Sequence, residues 1–392
     1  MARLLSRSLF PTDQPVEAAR LIGRDGDVAQ LVNQVVGGAN RVVVGPRRTG
    51  KTSVCRAALG RLKTRSRYLV AVDLFDLAGP AALAEALAVA TISNRSAVRR
   101  TLPKARSLSR HAVQLASGAV SARLKADLGT DIEIALLPDL AQRDPERYLA
   151  YALRLPEKVA EVDGVEVVVF IDEFQELAAG DHRFGDPDLR TKQLRSVLQD
   201  SPHVTCIFAG SIEHLMRDLF APRHRALHNF GGFQHLGPIS VDDWRAGLTE
   251  RFAEDGCHIA PEILDVLIDE YGRSHARSTM LVAQQTHIAA VAAGVRTITL
   301  ALVLEGLQNA MSADSAHHQA AVDRIRSLGK HAFATALRVA RHEAPYGGVT
   351  DPKTVTRAMH ALRDIGYIDE PAERAGPWRF ADPLLGRYLA GF

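Results

Sequence analysis

The 392-residue sequence has few cysteines and no long apolar run. Its three cysteines, Cys55, Cys206 and Cys257, lack the spacing of metal ligands, so we expect reduced thiols in or near the core and no structural metal. No uncharged apolar stretch reaches the roughly 18 residues that a membrane-spanning helix needs. The apolar segment near the first residue is too short for a signal peptide. These absences predict a cytoplasmic protein that does not enter a membrane.

A phosphate-binding pattern occurs early in the chain, in VVVGPRRTGKTSVCRAAL. Gly45, Gly50, Lys51 and Thr52 fit G-x-x-x-x-G-K-[ST], in which glycines let backbone N–H groups wrap a polyphosphate. Lys51 would reach the β- and γ-phosphates, Thr52 would coordinate Mg²⁺, and a helix from Gly50 would add its positive N-terminal end. An apolar run before the loop and a helical pattern after it complete the motif. The stretch predicts a nucleotide site, with a degenerate P-loop that does not hydrolyse nucleotide as the alternative.

Acidic residues are absent between Val28 and Val72, although nine Lys or Arg residues occur there. The formal net charge of the whole chain is only +3, so this early region is a positive surface. Some of the charge can face nucleotide phosphates. We interpret the rest as a solvated helix face, with a nucleic-acid footprint as the alternative.

Three apolar segments, at residues 68–75, 165–177 and 204–211, have the pattern of buried strands and are separated by helical patterns. Continuous apolar strands that alternate with helices imply a parallel sheet covered on both faces, which is the α/β nucleotide-binding architecture. Ligands of such sheets bind at the carboxyl ends of the strands. Lys51 and the side chains that end the later strands would all be placed there.

Polar side chains follow the later two strands. Asp172 and Glu173 supply adjacent carboxylates, of which Asp172 would hold Mg²⁺ and Glu173 would orient and polarise the attacking water. Ser211 either senses the γ-phosphate or caps the helix that follows it. Charge on the transferred phosphoryl group calls for an arginine, and Arg277 is our choice. Surface or capping roles are expected for the histidines that lack ligand spacing, among them His182, His258, His275, His317 and His318.

A long, mainly helical insertion is predicted at about residues 80–162. Its basic face has no acidic residue before Asp127, and we interpret that face as solvated, with a docking surface for DNA or an acidic partner as the alternative. The basic residues are Arg95, Arg99, Arg100, Lys104, Arg106, Arg110, Arg123 and Lys125.

Past Pro238 the pattern contains only helices, and SVDDW resembles a capping box at the start of the first. One helix with a core stripe from Val322 to Ala340 opens the last segment. A helix capped by Asp351 and two short strands, GYI and WRF, complete a winged-helix pattern. The predicted domains are a tail at 1–20, an α/β domain at 21–238, an all-helical lid at 239–316 and a winged-helix domain at 317–392.

Together these motifs resemble the P-loop ATPases of the AAA+/STAND group, in particular the prokaryotic "archaeal-type ATPase" clade, a relative of the origin-recognition initiators. The likeness runs over about residues 21–392. VVVFIDEFQEL resembles the Walker B motif, IFAGS the sensor-1 strand, and GPWRFADPLLGRYL the wing and closing helix of a winged-helix domain. The resemblance implies a P-loop NTPase sheet core with a helical lid, binding ATP or ADP with Mg²⁺.

The resemblance also assigns residues. LIGRDGDVAQL looks like the entry motif of the clade, which implies that Ile22, Gly23 and Arg24 lie near the adenine. SHARSTMLV is similar to the sensor-2 segment of the lid, which implies that Arg277 contacts the γ-phosphate. GPRRTGKTS resembles the Walker A motif, which implies nucleotide contacts for Gly45, Pro46, Arg47, Arg48, Thr49, Gly50, Lys51, Thr52 and Ser53.

Two features depart from the clade. The stretch ALHNFGGF contains no basic residue where the clade often has an arginine, which argues against an arginine supplied by a neighbouring subunit. A monomer or a regulated oligomer is therefore expected. The sequence also ends with the predicted winged helix, so we expect any effector or sensor to be a separate polypeptide.

Two functional hypotheses follow. The first is an Mg²⁺-dependent ATP-hydrolysing switch that couples its nucleotide state to DNA or to a protein partner. The second is a DNA-binding or scaffold module that uses nucleotide mainly as a structural ligand, with phosphate contacts that weaken with salt. A winged helix that binds protein instead of DNA is the alternative for that surface. The residues that would face double-stranded DNA are Lys353, Arg357, His360 and Arg363.

Overall fold

The computed structural model describes residues 9–95, 144–178, 182–347, 351–369 and 378–392. The chain divides into two compact units. The sheet unit comprises Asp27–Val44 and Cys55–His235, and the helical unit comprises Met1–Gly26, Gly45–Val54 and Leu236–Phe392. Most of the basic face predicted for the insertion lies outside the described residues, namely Arg99, Arg100, Lys104, Arg106, Arg110, Arg123 and Lys125.

The sheet unit is built on five parallel strands with the order β2-β3-β4-β1-β5. All six residues of β3 after Glu166 are buried, as a continuous apolar run predicts for an inner strand. The parallel α/β architecture is therefore confirmed. The edge strand β5 lacks such a run, so the sequence does not reveal it. The strands are β1 (Arg41–Val44), β2 (Arg67–Asp73), β3 (Glu166–Asp172), β4 (Val204–Gly210) and β5 (Gly232–His235).

Helices alternate with these strands, and a short 3₁₀ helix at Phe174–Ala178 follows β3 directly. The rings of Phe174, Phe208 and Phe220 have centroids 4.7–5.4 Å apart in the core of the sheet unit. Because Phe174 comes directly after the two carboxylates, this packing fixes the chain where β3 ends. The helices are α1 (Asp25–Val36), α2 (Lys51–Leu62), α3 (Pro80–Ile92), α4 (Pro145–Asp163), α5 (Pro187–Leu198) and α6 (Glu213–Phe220).

The predicted capping box lies at the start of the first helix in the C-terminal part of the helical unit. The Ser240 hydroxyl accepts from the Asp243 amide at 3.0 Å and donates to the Asp243 carboxylate at 2.6 Å. The helices-only prediction for this region needs one correction, because β6 (His258–Ile259) and β7 (Thr297–Ile298) form a parallel pair. Two-residue strands are too short to leave a periodic pattern. The helices are α7 (Val241–Glu254), α8 (Pro261–Asp265), a π-helical turn (Val266–Gly272), α9 (Ala276–Ala292) and α10 (Leu300–Ala313).

The last segment contains more breaks than expected. The single helix predicted through Val322 and Ala340 is wrong, because Gly329 at φ +108° separates two helices. The predicted Asp351 cap is confirmed, since its carboxylate accepts from the Lys353 amide at 3.1 Å. None of the described helices is long and apolar enough to span a membrane. The elements are α11 (Ser315–Ser327), α12 (Lys330–Ala340), α13 (Pro352–Asp364), the antiparallel strands β8 (Ile368–Asp369) and β9 (Arg379–Phe380), and α14 (Pro383–Ala390).

Candidate functional site

The P-loop lies in the helical unit, and its lysine is folded over its own backbone. Lys51 Nζ donates to the carbonyl oxygens of Gly45 at 2.9 Å and Pro46 at 2.6 Å, and the residue is only 5% exposed. The Thr49 hydroxyl donates to the same Pro46 oxygen at 2.8 Å. A phosphate would therefore compete with two carbonyl dipoles for the Lys51 ammonium.

Two glycines of this loop are required for different reasons. Gly50 has φ +93°, a conformation that residues with a side chain rarely adopt. A Cβ on Gly45 would lie 2.6 Å from the backbone oxygen of Leu236, so only glycine fits this close approach. Thr52 lies in the first turn of α2, which begins at Lys51. The loop therefore depends on glycine at both positions, as the motif predicts.

The predicted entry motif contacts the backbone of the P-loop. Arg24 is buried and donates to the carbonyl oxygens of Thr49 at 3.2 Å and Gly237 at 2.7 Å. Ile22 packs against the apolar core of the helical unit, and Gly23 adopts φ +61°. Arg24 thus contacts the backbone of the P-loop at Thr49 and the backbone of Gly237.

Ser53 and the paired arginines occupy distinct positions in the loop. The Ser53 hydroxyl accepts from the Val16 amide at 3.0 Å, so it anchors the N-terminal segment. Arg47 is exposed, whereas Arg48 is partly buried with a left-handed backbone at φ +62°. Burial and the nearby cation Arg277 lower the pKa of Arg48. The loop therefore concentrates positive charge, as polyphosphate binding requires.

The predicted carboxylates and Ser211 lie in the sheet unit. Asp172 ends β3 and is buried, and its Oδ1 accepts from the Glu173 amide at 3.0 Å. Glu173 has φ +48°, so the backbone turns out of the direction of β3 at this residue. The Ser211 hydroxyl donates to Glu173 Oε2 at 2.8 Å. The two carboxylates and Ser211 are thus brought together at the ends of β3 and β4.

A buried glutamine completes this arrangement. The Gln175 side chain is 1% exposed, and its amide nitrogen donates to Glu173. Its carbonyl oxygen accepts from the Ser211 amide at 3.1 Å. Ser211 does not cap α6, whose N-cap is Ile212 without a side-chain bond. The alternative capping role for Ser211 is therefore not observed, and Glu173 is oriented from two sides.

Asp73 is a residue that the sequence does not single out. It is the register partner of Asp172 on β2, so three acidic residues lie at the ends of these two neighbouring strands. Loss of hydration raises the pKa of Asp73, and repulsion from Glu173 adds to the rise. A cluster of acidic oxygens at a strand end suits a hard cation such as Mg²⁺.

In the helical unit, Arg277 is held by a carboxylate. Both of its terminal nitrogens donate to Asp314, one of them at 2.8 Å, and both side chains are largely buried. Burial alone would raise the pKa of Asp314, but the bonds from Arg277 outweigh it and lower that pKa. The arginine that we select for phosphate contact is thus paired with Asp314.

A second carboxylate reaches the P-loop from the last helix. Asp382, the N-cap of α14, lies 3.4 Å from Arg48 and accepts from the Ser278 hydroxyl at 3.1 Å. His275 caps α9, as one of its predicted roles, and its Nε2 donates to the Arg47 carbonyl at 2.9 Å. Burial lowers the pKa of His275, which favours the neutral imidazole. The start of α9 and the C-terminal segment therefore both contact the loop.

The described residues contain one group of possible metal ligands outside the acidic cluster. Ligand atoms of Asp255, Cys257 and His287 lie within 4.8 Å of one another. His287 Nε2 is already 3.0 Å from the Asp255 carboxylate, and the Arg296 guanidinium approaches the same carboxylate to 3.7 Å. These contacts suit a buried histidine satisfied by an aspartate.

The four residues predicted to face DNA share helix α13. Lys353, Arg357 and His360 are exposed, while Val355 and its apolar neighbours face inward. Arg363 is half-buried and lies 3.0 Å from His360 Nδ1. The exposed face thus presents two unburied cations and a histidine–arginine pair.

Comparison with known proteins agrees with this geometry. The family model described as Novel STAND NTPase 1 (nSTAND1) matches residues 12–331. The Walker-type ATPase PABY2304 of Pyrococcus abyssi is similar in structure, with TM-score 0.65 and 14% identity over 97% of this chain and 99% of that one. The Aeropyrum pernix ORC2 protein in its ADPNP-ADP complexes gives TM-score 0.59 and 16% identity over 98% and 96%. No curated protein matches.

CDC6P from Pyrobaculum aerophilum is also similar, with TM-score 0.50 and 14% identity over 98% of each chain. At such identities the likeness concerns the fold, which is that of a P-loop NTPase. The resemblance to AAA+/STAND-type P-loop ATPases related to origin-recognition proteins is therefore confirmed. Because the family model spans residues 12–331 of 392, the chain belongs to the nSTAND1 family of STAND NTPases.

Proposed function

We propose that the protein binds and hydrolyses ATP with Mg²⁺ and acts as a switch that couples its nucleotide state to DNA or a protein partner. The observation that carries the proposal is the orientation of Glu173 by Ser211 and Gln175. A nucleotide that served only as a structural ligand would need no carboxylate held in this way. A general base, in contrast, must be aimed at its water.

The residues divide the chemistry among them. Lys51 and the loop amides would bind the β- and γ-phosphates, and the hydroxyl of Thr52 with the carboxylate of Asp172 would hold Mg²⁺. Both are oxygen donors, which this cation prefers, and the bound ion would neutralise phosphate charge. Glu173 would orient the attacking water and accept its proton, and Ser211 would keep Glu173 in position. Arg277 would contact the γ-phosphate after leaving Asp314.

The domain roles follow from these positions. The α/β domain at 21–238 would bind and hydrolyse nucleotide, the lid at 239–316 would carry Arg277, and the winged-helix domain at 317–392 would bind the partner. The contact between Asp382 and Arg48 supports a C-terminal segment that responds to the loop. A separate effector protein and assembly into a regulated oligomer belong to the same proposal.

ATP turnover tests the proposal directly. We expect wild type to hydrolyse ATP slowly, Lys51→Ala to lose nucleotide affinity, and Glu173→Gln to bind ATP normally while losing turnover. The comparison is made with and without duplex DNA. Turnover by Glu173→Gln at the wild-type rate would remove the proposed base, whereas tight binding without turnover in the wild type would leave a nucleotide-stabilised scaffold.

Double-stranded DNA is the second part of the proposal, and the exposed cations of α13 favour it. Lys353 and Arg357 stand on a solvent-facing surface, where they could neutralise phosphates. Gel-shift titrations over a range of salt concentrations should show affinity that falls steeply with salt. In the double variant Lys353→Ala with Arg357→Ala, the slope of log affinity against log salt concentration should be smaller by about two, because two phosphate contacts are lost. Absence of salt-sensitive binding would assign α13 to a protein partner.

A further inference from the structure

His318 occupies an unusual position in α11, one turn after Asp314. The residue is 0% exposed, and among the described residues neither ring nitrogen has a hydrogen-bond partner. Its Nε2 lies 4.0 Å from Asp314 Oδ2, and its ring is 5.2 Å from the ring of Tyr388. Every imidazole carries at least one N–H, so a donor is buried here without an acceptor. Such groups are rare in folded proteins, because leaving a buried donor unpaired is costly.

The Asp314 carboxylate, 4.0 Å from His318 Nε2, already has a partner. Asp314 is the N-cap residue of α11 but makes no side-chain capping bond. Both of its carboxylate oxygens instead accept from Arg277. Each carboxylate oxygen therefore accepts one bond from Arg277, and His318 Nε2 lies just outside hydrogen-bond distance of Oδ2.

The arrangement has a consequence for any movement of Arg277. If the guanidinium turned toward a phosphate, Asp314 would remain as a largely buried carboxylate without its partner. An uncompensated buried charge opposes that movement strongly. His318 Nε2 lies 4.0 Å from Asp314 Oδ2, so its N–H could take the place that Arg277 leaves.

We propose that His318 is a positioning residue. It becomes the hydrogen-bond donor to Asp314 when Arg277 leaves Asp314 and engages the γ-phosphate. The inference rests on the proposed function, since it requires Arg277 to contact nucleotide. In the structure Asp314 pairs with Arg277, and neither ring nitrogen of His318 has a hydrogen-bond partner among the described residues. In the ATP-bound state His318 donates to Asp314, so the carboxylate keeps a partner while the arginine is free. His318 thus favours ATP over ADP without touching either nucleotide.

The variants are His318→Leu, which removes the donor at similar size, and His318→Gln, which keeps an N–H donor. Calorimetric titration of the full chain gives the Kd of ADP and of the slowly hydrolysed analogue ATPγS. We expect His318→Leu to bind ADP like wild type but ATPγS about 10- to 100-fold more weakly, the effect of losing one hydrogen bond to a charged group. His318→Gln should restore most of that affinity.

Thermal unfolding without nucleotide separates this role from packing. Because Leu removes a buried unpaired donor, His318→Leu should melt at the wild-type temperature or above it. A lower melting temperature together with equal weakening of ADP and ATPγS would overturn the proposal in favour of a structural role.

Arg277→Ala distinguishes the inference from the function on which it rests. We expect this variant to lose the preference for ATPγS over ADP, and His318→Leu to have no further effect on that preference in the Arg277→Ala background. If Arg277→Ala leaves the preference unchanged, the proposed phosphate contact fails and the inference fails with it. If Arg277→Ala abolishes the preference for ATPγS over ADP but His318→Leu keeps it, the role proposed for His318 is wrong and the phosphate contact of Arg277 stands.

Discussion

The Ser211 hydroxyl, at the end of β4, donates a 2.8 Å hydrogen bond to Glu173 Oε2, at the end of the neighbouring strand β3. Adjacent parallel strands bring these two residues together although 38 positions separate them in the sequence. Gln175 bonds to both partners, so the glutamate has few alternative orientations. A carboxylate with this support is suited to the repeated alignment of a water molecule.

Removing the Ser211 hydroxyl tests this support. If Glu173 is the base, as proposed, and the Ser211 hydroxyl only positions it, Ser211→Ala should lower kcat for ATP about 10- to 100-fold with little change in KM. Ser211→Thr keeps a hydroxyl and is the matched control, with kcat near that of wild type. Steady-state turnover measures both constants. A rise in KM with unchanged kcat would instead assign Ser211 to nucleotide binding.

The sequence predicts those parts of the site that depend on local spacing. The P-loop is a pattern over a few consecutive residues, and Asp172 and Glu173 are marked by the apolar strand before them. Both kinds of signal arise from geometry within one element or one turn. The parallel sheet follows in the same way, since continuous apolar runs indicate inner strands.

Contacts between distant segments leave no such pattern. Arg48 and Asp382 are 334 positions apart, and His275 and Arg47 are 228 positions apart. His318 was expected to be a surface or capping residue but is fully buried, and its ring lies 5.2 Å from that of Tyr388 in α14. Burial of a histidine depends on which helices pack around it, and a single sequence does not contain that information.

The charge of Asp382 is expected to oppose nucleotide binding at the P-loop. Asp382→Asn removes a negative charge beside Arg48 but keeps an acceptor that can cap α14 and bond to Ser278. Without the carboxylate the loop is more positive, so we expect ADP and ATP to bind about 3- to 10-fold more tightly. Calorimetric titration at constant ionic strength measures the change.

The matched control for that experiment is Asp351→Asn. Asp351 is also a helix N-cap whose carboxylate accepts a backbone amide, but it caps α13 and is exposed. The same chemical change there should leave nucleotide affinity at the wild-type value. Weaker binding by Asp382→Asn would mean that the Arg48 contact holds the loop in its binding conformation, contrary to the prediction.

The stability of the protein should decrease in mild acid. Burial lowers the pKa of His275 below its ordinary value of 6.5, although Asp382 partly opposes the shift. As pH falls through 6.5, the unfolded chain takes up a proton at His275 that the folded chain does not. The free energy of unfolding therefore falls below that pH until the lowered folded pKa is reached. Burial also lowers the pKa of His318, which adds to the effect.

Urea denaturation at about pH 7.5 and about pH 5.5 measures this dependence. His275→Asn removes the titrating group but keeps an N-cap acceptor, so its two unfolding free energies should lie closer together than those of wild type. The groups that act on His275 are Asp382, which raises its pKa, and Arg48 and Arg277, which lower it. Equal pH dependence in the variant and in wild type would show that His275 titrates alike in folded and unfolded chains.

Alanine substitutions at Gly45 and Gly38 separate the effect of the close approach at the P-loop from the effect of backbone conformation. Both have positive φ, 158° and 74°, but a Cβ on Gly45 would lie 2.6 Å from the Leu236 oxygen, whereas a Cβ on Gly38 meets nothing within 4 Å. Gly38→Ala should cost about 1 kcal/mol of unfolding free energy through its φ alone. Gly45→Ala should cost about 2 to 4 kcal/mol and abolish ADP binding, because the loop backbone must move away from Leu236. Urea denaturation and calorimetric titration measure the two effects, and equal stability of the two variants would mean that the loop yields to the added methyl group.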